Sequence, residues 1–315
     1  MKKYTITRIL GALIFATCLF YGLAQSQQID YKSNSTVRKY YPSRTTTQNG
    51  VYVNNFDEVL GIPQEQSDLT SYLQTAKIND LTFYMGSLLD NSDNRTSMRS
   101  YMSTLTTAGF TRRASNVTQA TGCIYPLKVG TEAHYNAGCA TAGEKFNGFT
   151  QEWEFWHENP YGTFATFKVK DDSILAYCSA NSMYYDIYVA RCRDYTGTSP
   201  DSAVARQMIK HETIFLVDYV STAKYNTYKG LSDGIKTQLN IIGAAAKKAG
   251  KVQKVSILWA SEGNEGANME SYFIANPKLL PAYNGFMTAY NNWSSTAKAN
   301  LNIIGQKIYA TTGLR

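Results

Sequence analysis

Histidine is scarce in this chain: 315 residues carry only His134, His157 and His211, far apart, and the five cysteines form no CxxC pair. Neither a metal site of familiar spacing nor a cofactor motif is therefore expected. Ser-His-Asp and Cys-His sets in a suggestive context are missing as well. No compact cluster of Lys and Arg interleaved with aromatics occurs, so despite a formal charge of +7 nothing points to nucleic acid. No internal repeat at a solenoid period is visible.

Long apolar runs are also lacking, with one exception. ILGALIFATCLFYGLA follows the basic start MKKYTITR, and Gly22-Leu23-Ala24 sets small residues at the two positions a signal peptidase reads. Its sixteen residues fall short of the roughly 20 that a spanning helix needs. Residues 1–24 are accordingly expected to be a signal peptide, and the mature chain to be exported to the periplasm, the outer membrane or the exterior. Phe15-Ala16-Thr17 fits poorly as the approach to a lipidated Cys18. Loss of Lys2, Lys3 and Arg8 lowers the charge to +4.

Four cysteines then remain, Cys123, Cys139, Cys178 and Cys192, and an even count in an exported chain favours disulfides. Three pairings exist. The close pairs, Cys123 with Cys139 and Cys178 with Cys192, are the expectation, each closing a loop worth about 3 kcal/mol.

What is abundant is tyrosine, with 24 residues, a side chain that joins a flat apolar face to a hydroxyl and suits carbohydrate. Residues 25–49 are polar and aperiodic and are expected to be a flexible leader. From Gly50 short apolar runs alternate with amphipathic ones. The strand-like runs are GVYVNNF, DLTFYMGSL, FTRRASNV, Phe149 to Trp156, YYDIYVA, ETIFLVDYV, KVSILWA and LNIIGQKIYAT. Helix-like runs lie between them, one opened by Ser67-Asp68, one closed by Gly109 and one over residues 160–175. This predicts a single (β/α)8 TIM barrel over 50–315, with an open doubly wound sheet as the rival. In such a barrel ligands meet the C-terminal ends of the strands.

FNGFTQEWEFW, residues 146–156, places two acids late in the fourth strand. Alternation puts Thr150, Glu152, Glu154 and Trp156 on one face and Phe149, Gln151, Trp153 and Phe155 on the other. The second set suits the helix layer, so the first is expected to face the barrel mouth. Glu152 and Glu154 are then about 6.5 to 7 Å apart at Cα, close enough to hinder each other's ionisation and push one toward proton donation. The competing reading pairs both acids with cations such as Arg112 or Arg113.

The stretch resembles the fourth-strand signature DGxDxDxE of glycoside hydrolase family 18, the chitinases and endo-β-N-acetylglucosaminidases. Gly148 and Trp153 match, Glu154 falls on the catalytic Glu and Glu152 on the third Asp. Asn147 and Thr150 stand where the family has its first two Asp residues. The resemblance implies that Glu154 protonates the glycosidic oxygen while the N-acetyl carbonyl of the substrate attacks the anomeric carbon, with retention. Glu152 would orient that acetamido group, its carboxylate reaching about 1.5 Å further than an Asp. A misplacement of that size costs on the order of a hundredfold in rate. Asp218 and Tyr219 stand where the family has a Tyr and an Asp, in reverse order, and neighbours on a strand cannot both reach the mouth. Tyr309 takes the place of a Trp under the sugar.

Trp156, Trp259 and Tyr84 lie late in their strands and are candidate stacking faces, although burial accounts for a single aromatic as readily. Glu262 and His157 sit in loops beside the site. The expected function is hydrolysis or binding of N-acetylglucosamine-containing glycans. The alternative is a noncatalytic barrel, either a glycan-binding module or a subunit of a cell-surface or outer-membrane assembly for secretion, gliding or adhesion.

Overall fold

A computed structural model describes residues 47–84, 88–118, 129–156, 163–193, 200–261, 268–275 and 279–310. Eight parallel strands close in sequence order: β1 (Gln48–Val53), β2 (Asp80–Phe83), β3 (Arg112–Thr118), β4 (Gly148–Glu152), β5 (Tyr184–Val189), β6 (Thr213–Val217), β7 (Gln253–Ala260) and β8 (Leu301–Ala310). Closure is made by β8 against β1, with Gly50 beside Lys307 and Tyr52 beside Tyr309. The expected TIM barrel is thus the fold.

The outer layer holds α1 (Pro63–Thr75), α2 (Ser92–Thr107), α3 (Val129–Ala137), α4 (Phe164–Ala180), α5 (Asp201–Met208), α6 (Thr222–Tyr228), α7 (Asp233–Lys248), α8 (Glu270–Ala275) and α9 (Leu279–Asn292). Local chemistry sets most of the ends. The Asn91 side chain accepts from the Asp93 and Asn94 amides at the start of α2, and Gly109, at φ +90°, turns the chain after it. Thr163 and Ser232 cap α4 and α7 in the same way. Ile235, Leu239, Ile242 and Ala246 recur at helical spacing and bury the inner face of α7.

Several boundaries differ from expectation. Order begins before Gly50, because Gln48 and Asn49 already pair with β8. α1 starts at Pro63 rather than at Ser67-Asp68, since proline's fixed φ suits the first helical position. α4 covers 164–180, its start set by the Thr163 cap.

The expected Cys178–Cys192 bridge does not form. Both are free thiols. Cys178 lies near the end of α4, where β5 begins, and Cys192 lies beyond the end of β5, so a strand of about 20 Å separates them. Cys139 is likewise a thiol, donating toward the carbonyls of Tyr135 and Glu144. Its expected partner Cys123 lies outside the described residues, as do the expected signal peptide and most of the expected leader.

Side chains alternate between the helix layer and the axis, and the axis collects charged and polar groups beside Phe215 and Leu258. Leu81, Phe83, Phe149, Ile214, Leu216, Ile257 and Trp259 are buried in the barrel's hydrophobic packing. Toward the axis, Lys307 Nζ donates to Asp80 Oδ1 at 2.5 Å and to Thr82 Oγ1 at 2.6 Å, and Thr82 bonds Thr150 at 2.9 Å. Arg112 bridges Asp80 at 2.8 Å and Asp186 at 2.7 Å, and reaches Glu212 at 3.2 Å. Two glycines make room. A Cβ on Gly50 would stand 3.0 Å from Lys307 Cγ, and one on Gly148 would collide with the Tyr184 ring at 2.1 Å.

Burial sets the electrostatics of this interior. It raises the Asp80 carboxyl, but Lys307 and Arg112 outweigh it and hold the pKa below the usual range. Burial pushes Asp186 up to about 6 despite Arg112, and lowers the Lys307 ammonium despite Asp80.

Candidate functional site

β4 ends at Glu152, earlier than expected, and the chain tightens at once, with the Phe155 amide donating to the Trp153 carbonyl. The alternation of faces nevertheless persists through the end of the motif. Trp153 meets Phe167 of α4 edge-on, and Phe155 packs on Phe164 and Phe167, all in the helix layer. Glu152 and Glu154 turn the other way and remain partly accessible.

Among the described residues, the hydrogen bonds that hold each acid come from neutral donors. Tyr84 and Asn116 both donate to Glu152 Oε2, the amide at 3.0 Å, and the Tyr188 hydroxyl donates to Glu154 Oε1 at 3.0 Å. The competing reading, pairing with Arg112 or Arg113, is not what occurs. Arg112 is engaged with Asp80, Asp186 and Glu212, and Arg113 donates to the carbonyls of Phe110 and Lys145.

An arc of tyrosines surrounds the two acids. Tyr188 meets Tyr219 at 6.4 Å between centroids, Tyr219 meets Tyr309 at 6.2 Å, and Tyr309 meets both Tyr84 at 6.0 Å and Tyr52 at 5.6 Å. Tyr52 is fully buried at the base of the arc and its hydroxyl has no hydrogen-bond partner among the described residues. Burial, reinforced by the charge of Glu152, raises its pKa well above the usual phenol value and keeps it a neutral donor.

Of the residues expected at the site, Glu152, Glu154, Tyr84, Tyr219 and Tyr309 converge on the mouth. Thr150 faces the axis below them, wholly buried and bonded to Thr82. Four others do not line the mouth as expected. Asn147 precedes β4 at the opposite end of the barrel, where its side chain accepts from the Arg113 amide and donates to the Thr111 carbonyl. Trp156 is 2% exposed and stacks on Tyr188 at 5.7 Å, bracing the residue that holds Glu154 instead of offering a free face. Trp259 points outward, buried against Tyr225 and Phe286. Asp218 is buried on the outer side of β6, its Oδ2 within 3.0 Å of where a Cβ on Gly230 would lie. Glu262 and His157 lie outside the described residues.

Sequence reasoning overlooked Tyr52, Asn116 and Tyr188. Each has the inward parity of its strand, and that was the signal available. Among the described residues no three His, Cys, Asp or Glu side chains converge on a metal position, and no helix is long and apolar enough to cross a membrane. No known family profile matches the chain, and no curated protein matches it either.

Proposed function

We propose that the mouth of this barrel, on an exported protein, recognises and cleaves N-acetylglucosamine-containing glycans. The observation that carries the reading is the pair of acids on one face of the β4 end, Glu154 held by Tyr188 and Glu152 held by Tyr84 and Asn116. The tyrosine arc supplies flat faces and hydroxyls of the kind sugars need.

Glu154 donates a proton to the glycosidic oxygen as its bond to the anomeric carbon breaks. The acetamido carbonyl of the same sugar bonds to that carbon, giving a cyclic oxazolinium. Glu152 accepts the acetamido N–H and offsets the charge that develops. Water then opens the ring, returning a proton to Glu154, and configuration is retained.

A second reading is favoured by Thr150. Where the similar signature carries an acid, this residue is neutral and tied into the Lys307–Thr82 chain, so it feeds no charge to Glu152. The barrel would then bind glycan without turnover, alone or as a subunit of a cell-surface assembly.

Hydrolysis of defined chitin oligosaccharides and N-glycans, beside the Glu154→Gln variant, tests the first reading. We expect turnover in the wild type and a loss of about 100-fold or more in the variant. Binding with no turnover in either would establish the second reading. Absence of both binding and turnover would sink the glycan assignment.

A further inference from the structure

The helix layer of the barrel opens beside α5. This helix has eight residues, against seventeen in α4 and sixteen in α7, and it packs on α7 while standing off from α4. A groove of about 630 Å³ runs along the α5 face that carries Ala203, Arg206, Gln207 and Lys210. These recur at helical spacing, so the groove follows the chain for about 10 Å. Phe164 and Lys168 of α4 form one wall, and Ala249 and Lys251, just after α7, form the other.

The rim is cationic. Lys168, Arg206, Lys210 and Lys251 line it, and among the described residues no Asp or Glu does. Asp172, half-buried behind the rim, is the opposing charge. It accepts from Lys168 at 2.5 Å and from Lys210 at 2.8 Å, so one carboxylate serves two ammonium groups. Arg206 makes no hydrogen bond or ion pair among the described residues. Lys251 donates to the Ile209 carbonyl at 2.6 Å, and burial, with Lys254 nearby, lowers its pKa below the usual range. Lys254 itself is answered by Glu212. Four cations against one carboxylate leave an excess of three positive charges at the groove.

Below the rim the groove is apolar, floored by Phe164, Ala203, Ile209 and Ala249. Val169 and Val252, the residues that follow Lys168 and Lys251, are 72% and 54% exposed, so apolar surface continues past its edges. A free phosphate or sulfate would use the rim and leave the floor wet. A bilayer surface would meet the exposed lysines without entering the groove. A polypeptide segment with carboxylates along its edges and apolar side chains on one face satisfies both.

We infer that this groove docks an acidic, amphipathic segment of a partner protein. The inference goes beyond the glycan reading, because the groove shares no residue with the mouth, and it holds whichever way the mouth is used.

Carbodiimide cross-linking of the native cell extract and culture fluid tests it. The reagent joins a lysine amine to a carboxylate when the two are in contact, so it reads the proposed pairing directly. Peptide mapping should find Lys168, Lys210 or Lys251 joined to an Asp- and Glu-rich segment of another protein. That segment, made as a synthetic peptide, should bind the purified protein in calorimetry, and Arg206→Glu should weaken it about tenfold or more. Arg206 is exposed, so the variant is expected to fold, and a thermal melt verifies this. Added salt should weaken the wild type more than the variant.

Adducts that join these lysines to this chain alone, within one copy or between two, would replace the partner with a self-contact. The inference is also overturned if no adduct to another protein forms, or if the peptide binds wild type and Arg206→Glu equally. Arg206-dependent sedimentation with phosphatidylglycerol vesicles, in the absence of such an adduct, would assign the surface to a membrane instead.

Discussion

Glu154 and Trp156 share a face at the end of β4, yet the first stays accessible and the second is closed off by Tyr188. Parity predicted which way each side chain turns, but not what would already be standing there. Glu152, Glu154 and Tyr84 were legible from late positions in their strands, whereas Tyr219 and Tyr309 came from the family resemblance; all five have inward parity. Trp259, assigned because it is late in β7, and Asp218, assigned from the family resemblance, both turn outward. Asp218 also carries a pH signature. The unfolded chain releases this proton near pH 4, whereas the native protein releases it only at about 8. Native molecules therefore bind more protons across that window, and stability falls as pH rises from about 4 to 8. Asp218→Asn should flatten most of this fall and stabilise the protein at pH 9 by on the order of a few kcal/mol. A shallower decline between about 4 and 6 should remain from Asp186. Urea denaturation from pH 4 to 9 measures both, and an unchanged slope in the variant would refute the assignment.

At the scale of elements, α4 is pinned to its neighbours by one buried carboxylate. Asp171 accepts from the Tyr185 hydroxyl at 2.8 Å and Gln207 Nε2 at 2.8 Å, and meets His211 Nε2 at 3.0 Å, while the other ring nitrogen of His211 donates to the Met208 carbonyl. Three segments, α4, β5 and the end of α5 with its following turn, meet at this group. Asp171→Ala strands three polar partners in the interior and should cost about 3 to 5 kcal/mol in chemical denaturation, with Asp171→Asn losing less. Nothing in the sequence announced this cluster, because its members lie up to 40 residues apart and each looks like an ordinary helix, strand or turn residue. The position of α4 was legible only in outline for a related reason. Its start is set by one hydroxyl, Thr163, at a distance periodicity cannot resolve.

For the whole molecule, the alternation of short apolar runs with amphipathic ones carried enough information to give the barrel. The polar interior was not legible. Asp80 opens DLTF and looks like a turn residue, and Lys307 in IIGQKIY looks like a solvated face, until closure brings them within 2.5 Å. That contact joins β8 to β2 across β1, so it reports on closure itself. Lys307→Met should destabilise the fold by about 3 to 5 kcal/mol, since it leaves Asp80 buried with Arg112 as its remaining cation. Pairing it with Asp80→Leu should cost less than the sum of the two single changes. Additive losses in a urea double-mutant cycle would show that the two groups act independently.

Lys307 and Tyr309 stand two places apart on β8, one fastening the floor and the other completing the tyrosine arc. Strand β8 thus carries a share of both the barrel's closure and the tyrosine arc. A nascent chain holding Glu152 and Glu154 has no complete barrel mouth until β8 emerges. A fragment cut before Leu301 would lose barrel closure and the tyrosine arc together, so the two cannot be separated by removing β8.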